Sequence, residues 1–252
     1  MTSRSGTRRH RACRFEPHGS RGPGASRPRP RAIGRSAYVS DDVIDEVLAI
    51  LPGDPLDAIR AARPAARENA QRSYEALFEP VDASEASLAE RALVAQFVTG
   101  VSREPLLTDW YRAAAVDAGA ESQAEVVDAL VATSATTGPF GAYAEVGLAE
   151  ESTDGLRLTI DAATRQLLGA RLASAIEHAH LLVFRPREAS AAALDRLLDA
   201  GWSTTGIVTI SQLIAFVSFQ LRLVIGLGAL QADLVESGAT APTGTATPRS
   251  DS

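Results

Sequence analysis

Two histidines placed two residues apart are the clearest candidates for chemistry in this sequence. They are His178 and His180, in the stretch AIEHAHLLVF. On a helix they point about 200° apart, so we expect no shared metal ion at this pair. Glu177 lies three residues before His180, within reach of an ion pair that would fix the histidine tautomer. The sequence therefore predicts either a general base at His180 or a partly buried ion pair with a structural role.

A second candidate cluster lies in the stretch SREPLLTDWYRAA. Glu104 precedes Pro105, and Asp109 and Tyr111 follow on a predicted helix. A carboxylate directly before a proline also suits a helix N-terminus, where the helix dipole stabilises negative charge. The cluster is therefore either an active centre or a solvated helix start.

A third set of polar residues interrupts the most apolar stretch of the chain, residues 207–230. These residues are Gln212, Gln220 and Arg222. The stretch is long enough to span a bilayer, but an arginine near the middle of a span costs about 2.5 to 3.5 kcal/mol. We expect no membrane span, but a helix buried on all sides, either within one chain or at contacts between copies. The three polar side chains then either bind a small polar ligand or form hydrogen bonds between helices.

The composition limits the possible partners and chemistry. Residues 1–35 hold ten of the 25 arginines and one of the 31 acidic residues, so the remainder carries 15 basic against 30 acidic residues. Because the chain after residue 35 is this acidic, we do not expect its folded surface to bind nucleic acid. The single cysteine, Cys13, allows neither a disulfide within the chain nor a CxxC motif, and a cytoplasmic location fits. We expect no cofactor.

The periodicity of the apolar residues predicts an all-α fold in two helical halves. We expect Ser40 to cap the first helix, Pro64 to break the next segment, Ser84 or Ser87 to cap the helix that follows, and Ser203 to cap the last. Residues 162–185 are expected to form one helix. The predicted divisions are a disordered arginine-rich tail (1–37), an N-terminal helical half (38–137), a loop with a short strand at 156–160 (138–161), a C-terminal helical half (162–236) and a disordered tail (237–252).

A family resemblance is carried by three stretches of this sequence. The string EASAAALDRLLDAGWSTTGIVTISQLIAFVSFQLRLVIGLGAL resembles the end of proteins of the alkylhydroperoxidase (AhpD-like) and carboxymuconolactone decarboxylase (CMD) superfamily. ARPAARENAQRSYEALFEP followed by SLAERALVAQFVTG is similar to their beginning, and GARLASAIEHAHLLVFRPREAS looks like the subfamily called CMD domain proteins. The resemblance covers roughly residues 41–232, and AGWS…SQLIAF…FQLR is its most specific part.

The resemblance implies an AhpD-like helical fold assembled as a homo-oligomer, a trimer or a hexamer. It also implies a peroxidase, a peroxiredoxin-type oxidoreductase, that reduces peroxides through a CxxC dithiol assisted by a histidine and a glutamate. The positions of that motif fall near Glu104, Leu107 and Tyr111, where no cysteine stands, and Glu90 matches the acid.

Three functions therefore stay open. The first is a CMD-domain protein, nominally a peroxidase, without the catalytic dithiol. The second is a non-redox, decarboxylase-like enzyme or a binding protein for a small organic acid or lactone, with Glu177, His180 and Arg222 at its site. The third is a purely structural helical oligomer.

Overall fold

The structure is a computed structural model that describes residues 40–238, and over this range the protein is all-α. Its elements in chain order are α1 (Val43–Leu48), α2 (Pro55–Ala61), α3 (Pro64–Phe78), α4 (Leu88–Val101), α5 (Pro105–Asp117), α6 (Glu121–Ser134), a 3₁₀ helix (Val146–Glu151), α7 (Ala162–Leu168), α8 (Ala170–Phe184), a 3₁₀ turn (Pro186–Glu188), α9 (Ala191–Asp199) and α10 (Thr204–Glu236). The expected tails lie outside the described residues, except for residues 237 and 238.

Most helices begin where local sequence signals predict. Ser87 caps α4 in a capping box, in which its hydroxyl accepts from the backbone N–H of Glu90 and the Glu90 carboxylate accepts from the backbone N–H of Ser87. Ser203 caps α10 through the N–H of Gly206. Pro64 starts α3, so the predicted break is confirmed. These signals act within one helical turn, which is why the sequence alone reveals them.

The cap of α1 differs from the prediction. Asp42, not Ser40, accepts from the first free backbone N–H groups, those of Ile44 and Asp45. Ser40 instead accepts a hydrogen bond from the backbone N–H of Asp42, at 3.1 Å. A carboxylate two residues nearer the helix has the better reach, and its charge complements the helix N-terminus.

The segment expected to form one helix over residues 162–185 is divided at Gly169. α7 and α8 meet there at 111°. Gly169 has φ +82°, in the region that residues with a Cβ rarely adopt. The break turns the start of α8, with Arg171, toward the start of α4.

The loop between the two helical halves contains no strand within the described chain. The strand expected at 156–160 is absent, and a single bridge pairs Gly141 with Thr153. Arg185 attaches the loop to the end of α8 through a hydrogen bond of 2.8 Å to the carbonyl of Gly155. Where the strand was expected, the carbonyl of Gly155 and the N–H of Ile160 instead bond to the side chains of Arg185 and Glu177.

Both halves share one hydrophobic core, with α4 at its centre. α4 packs against α3, α5, α6, α8 and α10, and its residues from Arg91 to Val101 are all buried. Gly100 permits the close approach of α6, because a Cβ on it would lie 2.8 Å from a methyl group of Val131. A central helix of small and branched residues therefore supports the surrounding helices.

α10 closes the core from one side and is longer than the apolar run predicts. It packs against α1, α2, α3, α4, α8 and α9. Of the two expected alternatives, burial on all sides within one chain is wrong for the described residues, because Val208, Phe219 and Ile225 are about half exposed (50%, 49% and 51%), and burial between copies stays a prediction. By length and composition α10 could cross a membrane, and so could α7 and α8 taken together as one bent span. Of the most apolar 18-residue segment of α10, 39% is buried in the structure. A buried core helix in a soluble protein meets the same criteria.

Candidate functional site

An open cleft lies where the starts of α4, α6 and α8 converge. Its volume is about 360 Å³, which is in the range of sites for small molecules. Its lining residues come from the segment before α4, from α4 itself, and from α6, α7 and α8: Ser84, Ser87, Ala89, Glu90, Leu93, Ala120, Gln123, Leu168, Arg171 and Leu172. We call it the Glu90 cleft, because Glu90 is the one sequence-predicted site residue in its wall.

Both carboxylate oxygens of Glu90 are occupied by hydrogen bonds. Oε2 accepts from the backbone N–H and the hydroxyl of Ser87 at 2.8 and 3.0 Å, and Oε1 accepts from Nε of Arg171 at 2.9 Å. Burial opposes ionisation of Glu90, but the hydrogen bonds from Arg171 and Ser87 outweigh it and lower the pKa of the carboxyl. Glu90 is therefore an anion at neutral pH and is poorly suited to act as a general acid.

Arg171 joins three segments of the chain at one wall of the cleft. Its guanidinium contacts Glu90 and donates to the carbonyls of Glu85 and Gly201, at 2.8 and 3.1 Å. It also stacks on the ring of Trp202, with Cζ 4.0 Å from the ring centroid. The Trp202 indole N–H donates in return to the carbonyl of Arg171, at 2.8 Å. This arrangement fixes the side chain before any ligand arrives.

The side-chain amide of Gln123 lines the cleft and is available to a ligand. Within residues 40–238 this amide has no hydrogen bond, whereas the hydroxyl of Ser84 is hydrogen-bonded to the carboxylate of Asp82. Leu93, Leu168 and Leu172 supply a buried apolar wall. The cleft thus pairs a free side-chain amide with an apolar surface, as sites for small organic molecules do.

The predicted pair of Glu177 and His180 does not form. Glu177 accepts from the backbone N–H of Ile160 at 2.7 Å and from Arg165 at 2.6 Å. His180 is 1% exposed and hydrogen-bonds to the backbone of Ser134, while its Nε2 has no partner. Burial, opposed by that hydrogen bond, lowers the pKa of His180. Glu177 therefore fastens the loop, and His180 lies in the core without a carboxylate partner.

His178 points to α10 rather than to its neighbouring histidine. Its Nε2 lies 3.1 Å from the hydroxyl of Ser211, and its Nδ1 is buried without a partner. Burial, and then the charge of Arg196, lower the pKa of His178 to about 4. The imidazole is therefore neutral at physiological pH and joins α8 to α10.

Tyr111 and Gln220 are brought together in the core, although they come from different candidate groups. The Tyr111 hydroxyl donates a short hydrogen bond to Oε1 of Gln220, and both side chains are fully buried. Burial raises the pKa of Tyr111 well above its ordinary value of 10. Without access to solvent, the pair acts as a polar clamp between α5 and α10.

The remaining candidates lie apart from this clamp and from the cleft. Glu104 is buried and caps α5 by accepting from the N–H of Leu107 at 2.6 Å, whereas Asp109 is exposed. Gln212 and Arg222 are exposed on the outer side of α10, and Arg222 donates to the carbonyl of Ser218 at 2.6 Å. They do not share a site with Gln220, which points into the core.

Over the range that the structure covers, no group of three or more histidine, cysteine or acidic side chains is placed to hold a metal ion. Cys13 lies outside that range. No protein-family model, curated protein or solved structure matches this chain significantly.

Sequence reasoning missed Arg171, which organises the cleft. One signal could have revealed it, because a cation in the first turn of a helix opposes the helix dipole and needs a compensating partner. α8 begins at Ala170, so Arg171 is in that position. Its partner, Glu90, lies 81 residues away in the sequence, and only the fold identifies it.

Proposed function

We propose that this chain is a CMD-type, AhpD-like helical protein without the peroxidase dithiol, and that it binds a small organic acid or lactone in the Glu90 cleft without thiol redox chemistry. The observation that carries the proposal is the cleft itself, where the free amide of Gln123 and a leucine wall meet beside a fixed arginine. The resemblance to the superfamily supports it, because Glu90 is the residue that matches the family's acid.

The chemistry of the cleft favours a ligand with one carbonyl or carboxylate and a short apolar body. The side-chain amide of Gln123 can donate hydrogen bonds to the oxygen atoms of the ligand. The Nη1 atom of Arg171 donates one of its two N–H groups to Gly201, which leaves the second for the ligand. The apolar body would pack on Leu93 and Leu172. The negative charge of Glu90 is already neutralised by Arg171, so it does not repel an acid strongly.

We propose no catalytic role in peroxide reduction for this chain. Dithiol peroxidases need two cysteines, a nucleophile and a resolving thiol, and the sequence contains one. We expect no thiol-dependent consumption of peroxide by the wild type or by Cys13→Ser. Turnover that persists in Cys13→Ser would show a redox site other than a thiol and would contradict the proposal.

Binding is tested with a matched pair of probes, γ-valerolactone and its ring-opened form, 4-hydroxypentanoate, by ligand-observed NMR titration. We expect at least one of them to bind the wild type. The Gln123→Ala variant should bind about fivefold more weakly, since it loses a hydrogen bond worth about 1 kcal/mol. Ser122→Ala is the control, because Ser122 is exposed beside the cleft and does not line it. Binding of neither probe, or equal weakening in the control, would refute the proposal.

A further inference from the structure

The outer side of α10 carries a continuous stripe of exposed residues. The stripe starts at Val208, ends at Asp233 and contains the positions 208, 212, 215, 219, 222, 226, 229 and 233, all of which are exposed. The steps alternate between four and three residues, which is the 3.5-residue spacing of helices that pack along one another. No helix within residues 40–238 covers this stripe. We call it the α10 stripe.

The residues of the α10 stripe complement one another about its midpoint, which lies between Gln220 and Leu221. A two-fold axis there would place position 208 of one copy opposite 233 of the other, 212 opposite 229, 215 opposite 226 and 219 opposite 222. Phe219 then faces Arg222, a pair suited to a cation–π contact, and it does so twice. Ala215 faces Gly226, and two residues this small allow the helix backbones to approach closely.

The charges on α10 favour the antiparallel direction. Asp233 and Glu236 lie at its C-terminal end, where no basic residue offsets the helix dipole. In the antiparallel pair they would lie at the N-terminal turn of the other α10, where negative charge is stabilised. A parallel pair would instead place Arg222 against Arg222 and Asp233 against Asp233, and opposed like charges destabilise helix pairs.

We propose that two copies of this chain pair antiparallel along the α10 stripe, with Phe219 of each copy stacked on Arg222 of the other. The contact uses the same surface of both copies, so by itself it yields a dimer. A hexamer would need a second contact with three-fold symmetry. A lipid bilayer is the competing occupant of the same surface. The stripe holds Arg222 near its middle and Gln212 close to its start, which makes burial in lipid costly.

Disulfide formation tests the register directly. In a Cys13→Ser background, a mixture of Ala215→Cys and Gly226→Cys proteins should form the mixed disulfide, because these positions face each other. Neither variant should cross-link efficiently to itself, since positions 215 and 226 are 11 residues apart, about 16 Å along the helix. Self-linking of Ala215→Cys in preference to the mixed pair would overturn the antiparallel register.

Sedimentation measures the strength of the contact. The wild type should sediment as a dimer or larger assembly at micromolar concentration, and Phe219→Glu should raise the dissociation constant at least about tenfold. Val235→Glu is the matched control, because Val235 is 75% exposed on α10 but lies off the stripe. The swap Phe219→Arg/Arg222→Phe keeps the stacked pair and should restore association.

The competing outcomes are distinct. A wild type that sediments as a monomer would overturn the proposal. So would wild-type protein that floats with phosphatidylcholine vesicles and forms no mixed disulfide, because the bilayer would then occupy the stripe. Far-UV circular dichroism of each variant verifies that the helical fold is retained. Neither the sedimentation result nor the disulfide result depends on whether the Glu90 cleft binds a ligand.

Discussion

Arg171 holds Glu90 across 81 residues of sequence, with its Nε atom 2.9 Å from the carboxylate Oε1. The same guanidinium contacts the carbonyls of Glu85 and Gly201 and the ring of Trp202. One side chain thereby connects the starts of α4 and α8 with the segment that leads into α10. The wall of the cleft and the packing of these three helices thus depend on the same contact.

The ion pair should contribute measurably to stability. Glu90→Gln keeps the capping box, because glutamine can replace glutamate in it, and should lower the free energy of unfolding by about 1 kcal/mol through loss of charge. Arg171→Gln should cost more, since it also removes the stacking on Trp202. The double variant should be less destabilised than the sum of the two, by about 1 kcal/mol. Urea denaturation measures all three values.

The control for this cycle is the pair Glu68 and Arg72 on α3. Its side chains are 62% and 71% exposed, and the pair is separated by 3.3 Å. Solvent-exposed pairs of this kind contribute little. Glu68→Gln should therefore leave the denaturation midpoint unchanged, and strictly additive effects at Glu90 and Arg171 would show that their contact contributes nothing.

The buried clamp between Tyr111 and Gln220 predicts a rescue. Tyr111→Phe should destabilise the protein by about 1 to 3 kcal/mol, because it leaves both polar atoms of the fully buried Gln220 amide unpaired. Adding Gln220→Leu should recover most of this loss, since both partners are then apolar. Thermal unfolding of the single and double variants measures the recovery. A double variant as unstable as the sum of the single ones would indicate that the hydrogen bond is unimportant.

His178 should make stability depend on pH. Burial and the charge of Arg196 lower its folded pKa from 6.5 to about 4, so between these values the unfolded chain binds more protons than the folded one. The contribution is fully present above pH 6.5 and is lost as the pH falls toward 4, by at most about 3 kcal/mol. Burial also lowers the pKa of His180, which gives the same sign.

Replacing His178 isolates its share of this pH dependence. Urea denaturation of the wild type and of His178→Asn at pH 7.5 and at pH 5 gives two differences, and the variant should lose less stability on acidification. The contribution of His180 is present in both proteins and cancels in the comparison. Equal losses in the two proteins would show that His178 titrates normally.

The close contact between α4 and α6 predicts the reverse of the usual effect of a glycine replacement. In the middle of a helix, alanine is generally favoured over glycine by about 1 kcal/mol. At Gly100 the new Cβ would lie 2.8 and 2.9 Å from the two methyl groups of Val131, and a β-branched side chain has little freedom to move. Gly100→Ala should therefore destabilise by about 1 to 3 kcal/mol.

A second substitution tests the cause. Val131→Ala removes both methyl groups, so Gly100→Ala/Val131→Ala should be more stable than Gly100→Ala alone. Differential scanning calorimetry of the four proteins provides the comparison. Failure of Val131→Ala to relieve the effect would place the strain elsewhere in α4.

The elements that the sequence predicts well are those fixed by neighbouring residues. Ser87 and Ser203 cap helices, and Pro64 and Pro105 start them, because these effects act within a single turn. The all-α class follows from the long amphipathic segments. Glu90 was identified through a family resemblance, and the structure places it in the wall of a cleft, while its role stays a prediction.

The features that the sequence leaves open depend on distant contacts. A single glycine within a helical run, such as Gly169, is compatible with a continuous helix, so only tertiary packing reveals the bend. The pairing of Glu177 with Arg165 rather than with His180 depends on where α7 lies beside α8. The exposure of the outer side of α10 likewise depends on how much of that helix the other helices cover.

The dependence of the core on α10 has a consequence for biosynthesis. α1 to α9 leave the ribosome before α10. Six helices pack against α10, and their apolar side chains at these contacts stay exposed to solvent until α10 emerges. Nascent chains that lack this helix should therefore recruit chaperones and be sensitive to protease, and cooperative folding should wait until translation has passed Glu236.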